Sequence, residues 1–339
     1  MHAPHMKKAC VYGAGSFGTA VATVLANNFS TVTLWGRDEK LIKAINGQHE
    51  NVTYLPGLKL PGNIVGTTSI QEAADGAELI VTATPSHATR ELLGKALPFL
   101  PRHVPIVCVA KGIENETLMT MTELHEQCLP EEMHPQIAVL SGPSFAKEMV
   151  LGMPTIVTIA SRWEKTAKRC QTMFHGPTFR TYTSTDVVGV QVGGALKNVI
   201  AIAAGIADGL GFGNNARAGI ITRGLAEITR VAVRMGGNPL TLSGLAGMGD
   251  LVLTCTGELS RNRRVGIALG KGQKLDEILK EMKQVAEGVK TARAARDLAL
   301  KTGVELPICE QAYLIMYEAK SPKAAVLDLM GRTPKSELV

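Results

Sequence analysis

Short apolar runs alternate with longer amphipathic stretches through the first half of the chain, the pattern of strands separated by helices. Residues 9–12, 32–35, 79–83, 106–110 and 137–141 are largely apolar runs of strand length. Runs with no polar face suit strands covered on both sides by helices, so a mostly parallel sheet is expected. Between them, residues 17–27, 40–46, 87–97 and 118–128 have helical length and spacing, and two further runs, 155–159 and 179–183, extend the sheet. After about Asp186 the pattern changes. Segments 196–210, 218–235, 274–282 and 291–302 are rich in Ala, Leu, Ile, Lys and Glu, and read as helices. The first of these is apolar nearly all round, which predicts a helix buried in a core. The pattern divides the chain into an α/β unit over 1–189 and an all-α unit over 190–339, with no internal repeat and no low-complexity linker.

Composition narrows the function classes. A chain of 339 residues is long enough for two cores, and 45% hydrophobic with 19% charged residues is globular composition. Aromatic residues make up only 4%, which argues against stacked bases and a nucleic-acid partner. The net charge of +6 fits either scattered surface lysine and arginine or anionic ligands, and charge alone does not separate the two. The six cysteines lie far apart without a CxxC pair, several of them inside apolar runs, and read as small buried hydrophobes in a reducing compartment. The eight histidines are dispersed, so no metal site is expected, and the GxSxG pattern of hydrolases is missing. Residues 1–8 carry no secretory signal, the lead MHAPH reads as an extension without structural weight, and no run approaches the roughly 18 apolar residues of a membrane span. A cytoplasmic protein without stable membrane insertion is expected.

One motif carries chemistry. The run ACVYGAGSFGTA sets Gly13, Gly15 and Gly18 in a GxGxxG pattern directly after a strand and at the opening of an apolar helix. The three glycines serve a tight turn, close approach to a pyrophosphate, and close helix–strand packing. The amides of Ser16 and Phe17 would face phosphates at a helix N-terminus. In this context the motif predicts a Rossmann-like dinucleotide-binding domain. The second strand ends at Gly36 and Arg37, and Asp38 comes too late for the usual ribose contact. Arginine there can take a 2′-phosphate, so the cofactor is NAD or NADP, with NADPH preferred or both accepted.

Six ordered blocks then identify a family: GAGSFGTA (13–20), VAKGIE (109–114), SGPSFAKE (141–148), the segment 194–218 beginning GALKNVIA, the segment 244–266 beginning GLAGMGD, and VAEGVKTA (285–292). Across nearly its whole length the sequence resembles bacterial NAD(P)-dependent glycerol-3-phosphate dehydrogenase. The resemblance implies hydride transfer between NAD(P)H and dihydroxyacetone phosphate to give sn-glycerol 3-phosphate, which supplies glycerophospholipid synthesis. A homodimer through the helical half is expected.

Ketone reduction creates an alkoxide, so the site needs a proton donor, a phosphate clamp and a cofactor platform. Lys197, read as the start of an apolar helix beside Asn198, suits the acid/base task because a buried lysine exchanges its proton nearer neutral pH. The resemblance implies that it is the proton acceptor in alcohol oxidation. It also implies that Lys111, directly after the strand 106–110, touches substrate and cofactor, and that Asp250, in the GMGD turn, orients Lys197 and binds a substrate hydroxyl. As a bare residue Asp250 could equally be a helix cap. Ser260, Arg261 and Asn262 offer the donors a phosphate dianion needs, and by resemblance Arg261 also reaches the cofactor. Gly142, Ser144 and Ala146 match positions lining substrate and nicotinamide, while Val285 and Glu287 match cofactor contacts. Arg263 and Arg264 read as a solvated helix face. Two other readings share the fold. A hydroxy-acid dehydrogenase would bind a carboxylate, whereas the SRNRR cluster favours phosphate. A non-catalytic NAD(P)-sensing regulator would have no need of Lys111, Lys197 and Asp250 together.

Overall fold

The computed structural model describes residues 6–282, 285–334 and 336–337; the MHAPH lead lies outside them. The first half is β1 (Met6–Tyr12), α1 (Ser16–Leu25), β2 (Phe29–Trp35), α2 (Glu39–Gln48), β3 (Ile64–Thr67), α3 (Ile70–Ala74), β4 (Leu79–Thr82), α4 (Ser86–Ala96), β5 (Ile106–Cys108), α5 (Met121–Cys128), β6 (Ile137–Ser141), α6 (Ala146–Val150), β7 (Thr155–Ala160), α7 (Glu164–Phe174) and β8 (Phe179–Ser184). The strands form one eight-stranded sheet in the order β3-β2-β1-β4-β5-β6-β7-β8. All pairings are parallel except β6 with β7, so β7 and β8 run against the other six. Successive residues of β1 feed opposite cores: Ala9 and Val11 pack on one face, Cys10 and Tyr12 on the other. This explains the continuous apolar runs.

Several elements differ from the expectations. β3 is a short edge strand with Gly66 inside it, whose flank is closed by Asn46 donating to Gly66 O and accepting from Gly66 N. Amphipathic α7 buries Ala167, Cys170 and Phe174 beside the sheet and was not anticipated. Helix α5 starts three residues later than position 118, because Leu118 adopts a left-handed φ of 59° and Thr120 with Glu123 closes a capping box. β5 ends at Cys108, and the chain leaves the sheet before Lys111.

The second half is helical: α8 (Val187–Gly209), α9 (Gly213–Arg234), α10 (Pro239–Leu242), a π-turn (Leu245–Gly249), α11 (Asp250–Thr256), α12 (Arg261–Gly270), α13 (Leu275–Glu281), α14 (Glu287–Thr302), α15 (Pro307–Tyr317) and α16 (Pro322–Met330). Helix α8 begins nine residues before position 196, capped by the Asp186 carboxylate accepting from Gly189 N at 2.9 Å, and so the division at 189/190 falls in its first turn. Its Val-rich opening has strand propensity, but burial on every side overrides that preference. By length and composition α8 could cross a membrane, yet 89% of its apolar window is buried inside the protein, and the other helices pack around it as a core. Backbones meet where α12 crosses it. A Cβ on Gly205 would lie 2.2 Å from Arg263 O, and one on Gly266 would lie 2.1 Å from Ile202 O. Lys197 therefore sits in the middle of a 23-residue helix, not at its start, and is 5% exposed.

Candidate active site

A cleft of about 850 Å³ opens between the carboxyl edge of the sheet and the helices. Open parallel sheets bind ligands at this edge, because strand ends and helix N-termini present unpaired backbone groups there. Of the residues singled out from sequence, Gly13, Gly15, Ser16, Phe17, Arg37, Lys111, Ser144, Ala146, Lys197, Asp250, Ser260, Arg261, Asn262, Val285 and Glu287 line it. Gly18 lies behind the wall, and Gly142 contributes through its carbonyl.

The glycine loop joins β1 to α1. Gly13 has φ 128°, and a Cβ there would meet Ala83 O at 2.7 Å; a Cβ on Gly18 would lie 1.9 Å from Gly13 O. Both positions demand glycine for packing. Gly15 has nothing within 4 Å of its Cβ position, so that side of the loop is open to the cleft. Gly15 is also the N-cap of α1 and makes no side-chain cap, which leaves the first amides of that helix unpaired.

Across the cleft, one carboxylate joins two lysines. Lys197 Nζ donates to Asp250 Oδ1 at 2.7 Å and to Thr254 Oγ1 at 2.7 Å. Lys111 Nζ donates to Asp250 Oδ2 at 2.8 Å, to Gly142 O at 2.8 Å and to Ser144 Oγ at 3.3 Å. It also stands 5.5 Å from the Phe17 ring centre, a cation–π contact with the glycine loop. Asp250 is the first residue of α11, running straight on from the π-turn; its carboxylate binds the lysines and does not cap the helix. Burial brings the Lys197 pKa down to about 8; Asp250 opposes this shift and the nearby Lys111 charge adds to it.

At the other wall, Ser260 caps α12, its hydroxyl accepting from Arg263 N at 3.2 Å. Arg261 donates to Val285 O at 3.0 Å, which holds its guanidinium beside the start of α14. Asn262 donates to Asn198 Oδ1 at 2.8 Å and accepts from Gly288 N at 2.9 Å, while Asn198 donates to Lys111 O at 3.2 Å. This chain of amides ties the Lys111 loop, α8, α12 and α14 together. Glu287 accepts from Ser86 Oγ at 2.8 Å and, weakly, from Ser86 N at 3.4 Å; burial raises its carboxyl pKa, and Ser86 and Arg261 oppose the rise.

The arginines after the clamp divide. Arg264 lines the cleft, whereas Arg263 is not on a solvated face: it pairs with Asp208 at 2.7 Å, and Arg217 binds the same carboxylate at 3.0 Å. The polarity of an RNRR run does not reveal which arginine meets a carboxylate more than fifty positions earlier. Thr254 and Ser86 were not foreseen as site residues. Thr254 could have been found from its spacing, four residues after Asp250 on one helical face; Ser86 carried no local signal. Among the described residues no group of three or more His, Cys, Asp or Glu could hold a metal ion.

Comparison with known proteins agrees over both halves. Residues 8–167 match the family model of the NAD-dependent glycerol-3-phosphate dehydrogenase N-terminus, and residues 186–327 match that of its C-terminus. The chain is 70% identical to a glycerol-3-phosphate dehydrogenase [NAD(P)+] of Myxococcus xanthus, covering 97% of this chain and 98% of the relative. It is 57% identical to one of Anaeromyxobacter dehalogenans, covering 98% of this chain and 100% of the relative. The crystal structure of glycerol-3-phosphate dehydrogenase from Coxiella burnetii superposes with a TM-score of 0.89 at 36% identity, covering 97% of this chain and 100% of that one. With both halves matched in order and relatives aligned end to end, the chain belongs to the NAD-dependent glycerol-3-phosphate dehydrogenase family.

Proposed function

We propose that the cleft binds NADH or NADPH and reduces dihydroxyacetone phosphate to sn-glycerol 3-phosphate, in a cytoplasmic homodimer that supplies glycerophospholipid synthesis. The observation that carries the chemistry is the Asp250 carboxylate shared by Lys111 and Lys197 on the cleft wall. The open side of Gly15 and the uncapped start of α1 fit a pyrophosphate, with Ser16 and Phe17 beside it. Arg37, Lys111, Ala146, Arg261, Val285 and Glu287 would hold the rest of the cofactor. When bound, the nicotinamide supplies the hydride.

The residues of the chain do the remainder. Ser260, Arg261 and Asn262, at the start of α12, offer charged and neutral donors to the phosphate and so fix the end of the substrate. The Lys111 ammonium polarises the carbonyl, and Gly142 O and Ser144 hold that ammonium in place. As the carbonyl carbon is reduced, the electron pair of the C=O bond moves onto oxygen, and Lys197 Nζ gives its proton to that oxygen. In alcohol oxidation the neutral Lys197 amine takes the hydroxyl proton back. A pKa near 8 makes both forms accessible at working pH. Asp250 keeps both lysines aimed at one point and accepts from a substrate hydroxyl.

Purified protein mixed with NADPH or NADH and dihydroxyacetone phosphate should consume nicotinamide absorbance and yield glycerol 3-phosphate. Cofactor binding without consumption would instead support a regulator, and turnover of a hydroxy acid in preference to the phosphate would support the related dehydrogenase.

A further inference from the structure

We propose that Asn51 is a positioning residue for the cofactor pyrophosphate: by holding the carbonyl of Ala14, it aims the amide of Gly15 into the cleft. This rests on the reading of the cleft as a nicotinamide-dinucleotide site, and it brings in a loop that the mechanism leaves unused.

Residues 49–60 form a closed loop between α2 and β3. His49, in a left-handed conformation at φ 49°, ends α2, and its carbonyl accepts from Leu60 N at 2.8 Å. Glu50 pairs with Lys59 and accepts from Gly57 N at 2.8 Å, so the loop closes on itself. Tyr54, Leu55, Pro56 and Leu58 of this loop line the cleft. Asn51 does not; it is fully buried behind the wall.

The Asn51 side chain works in two directions. Its Oδ1 accepts from Tyr54 N at 3.0 Å and so belongs to the turn of its own loop. Its Nδ2 donates to Ala14 O at 3.0 Å and to Thr19 Oγ1 at 2.7 Å, which commits both amide hydrogens to the glycine loop and the first turn of α1. In a planar trans peptide the carbonyl and the following N–H point in opposite directions. Turning Ala14 O inward to Asn51 therefore turns Gly15 N–H outward, to the cleft that Gly15 lines. Among the described residues that amide makes no hydrogen bond, so it joins the first amides of α1 as a donor for an anion. Glycine at position 15 gives this peptide more freedom to rotate than any other residue would. The openness that lets a pyrophosphate approach thus needs a separate anchor, and Asn51 is that anchor.

The test measures binding as well as turnover. By calorimetry on the full chain, ADP-ribose, which carries the pyrophosphate, should bind more tightly than adenosine, which lacks it. Asn51→Ala should weaken ADP-ribose by about tenfold, the scale of one hydrogen bond to a charged group, and leave adenosine unchanged. The KM for NADH should rise by the same factor, while kcat and the KM for dihydroxyacetone phosphate stay near those of the parent. Thr19→Val removes the other acceptor of the same amide and leaves Ala14 O held. It should therefore lower Tm, as Asn51→Ala does, without loss of ADP-ribose affinity. A purely structural asparagine would lower Tm in both variants and alter neither affinity. That result, or an equal loss of ADP-ribose and adenosine in Asn51→Ala, overturns the proposal. Should Asn51→Ala fail to fold, the parent decides: its Gly15 amide resonance should move when ADP-ribose binds and stay in place with adenosine, and a signal indifferent to ADP-ribose overturns the role. If the parent binds NADH and prefers ADP-ribose while Asn51→Ala does the same equally well, the role of Asn51 fails alone. If the parent binds neither, the cofactor reading fails and the role falls with it.

Discussion

Lys197 shows how one side chain depends on its surroundings. An ammonium in the middle of an apolar helix is unfavourable unless compensated, and Asp250 with Thr254 provides the compensation. On its proposed role, Lys197→Ala should lower kcat by at least ~100-fold and leave cofactor affinity nearly intact; near-normal turnover would remove the role. The direction of the pKa shift sets a pH dependence. Reduction needs the protonated amine and should decline as pH rises through about 8, whereas oxidation needs the free amine and should rise over the same range. Parallel profiles in the two directions would place the titrating group elsewhere. Arg261 is held by Val285 O, so its charge faces the cleft in a fixed position. Arg261→Ala should weaken dihydroxyacetone phosphate far more than dihydroxyacetone, by roughly 1.5–3 kcal/mol for a hydrogen bond to a charged group. A variant that still distinguishes the two substrates as well as the parent would locate the phosphate elsewhere.

Among the elements, the contact between α8 and α12 governs the site, because α8 carries Lys197 and α12 begins with Arg261. Glycines on both helices let the backbones touch. Gly205→Ala would force its methyl into Arg263 O and push α12 outward. The expected result is a loss of ~1–3 kcal/mol in unfolding free energy by denaturant titration, typical of overpacking, together with a raised KM for the phosphorylated substrate. Unchanged stability and KM would mean that the crossing has slack. At this level the sequence was partly legible. Helices α1, α2, α4, α9, α13 and α14 fall near their expected places because each has local apolar spacing or a cap. β3, α7 and the helices α3, α6, α10, α11, α12, α15 and α16 had no expected counterpart: four residues with an internal glycine carry little period, α7 buries a narrow stripe on an otherwise polar helix, and most of the others are short.

In the whole molecule, the cleft is assembled from both halves and joined by the Asn198–Asn262–Gly288 amides and the Ser86–Glu287 bonds. Ligands that share such a cleft are expected to be coupled, and the coupling must be reciprocal. Glycerol 3-phosphate should therefore bind more tightly when NADH is already present, and NADH more tightly when glycerol 3-phosphate is present, by the same factor. Calorimetry in both orders checks this, and independent affinities would show that the halves do not communicate through the site.

The chain's own residues announced the nucleotide loop and the run of alternating strands and helices, since glycine spacing and apolar period are properties of neighbours in sequence, whereas the roles expected of Lys111, Asp250, Val285 and Glu287 came from the family resemblance. Other features became visible only in three dimensions. Asp250, expected to serve Lys197, also binds Lys111 from 139 positions away, β7 and β8 reverse the sheet, α8 begins inside a valine-rich run, and Arg263 turns inward to Asp208. Each of these depends on partners distant along the chain, and local propensity is too weak, by a kcal/mol or so per residue, to oppose the burial that a packed core imposes.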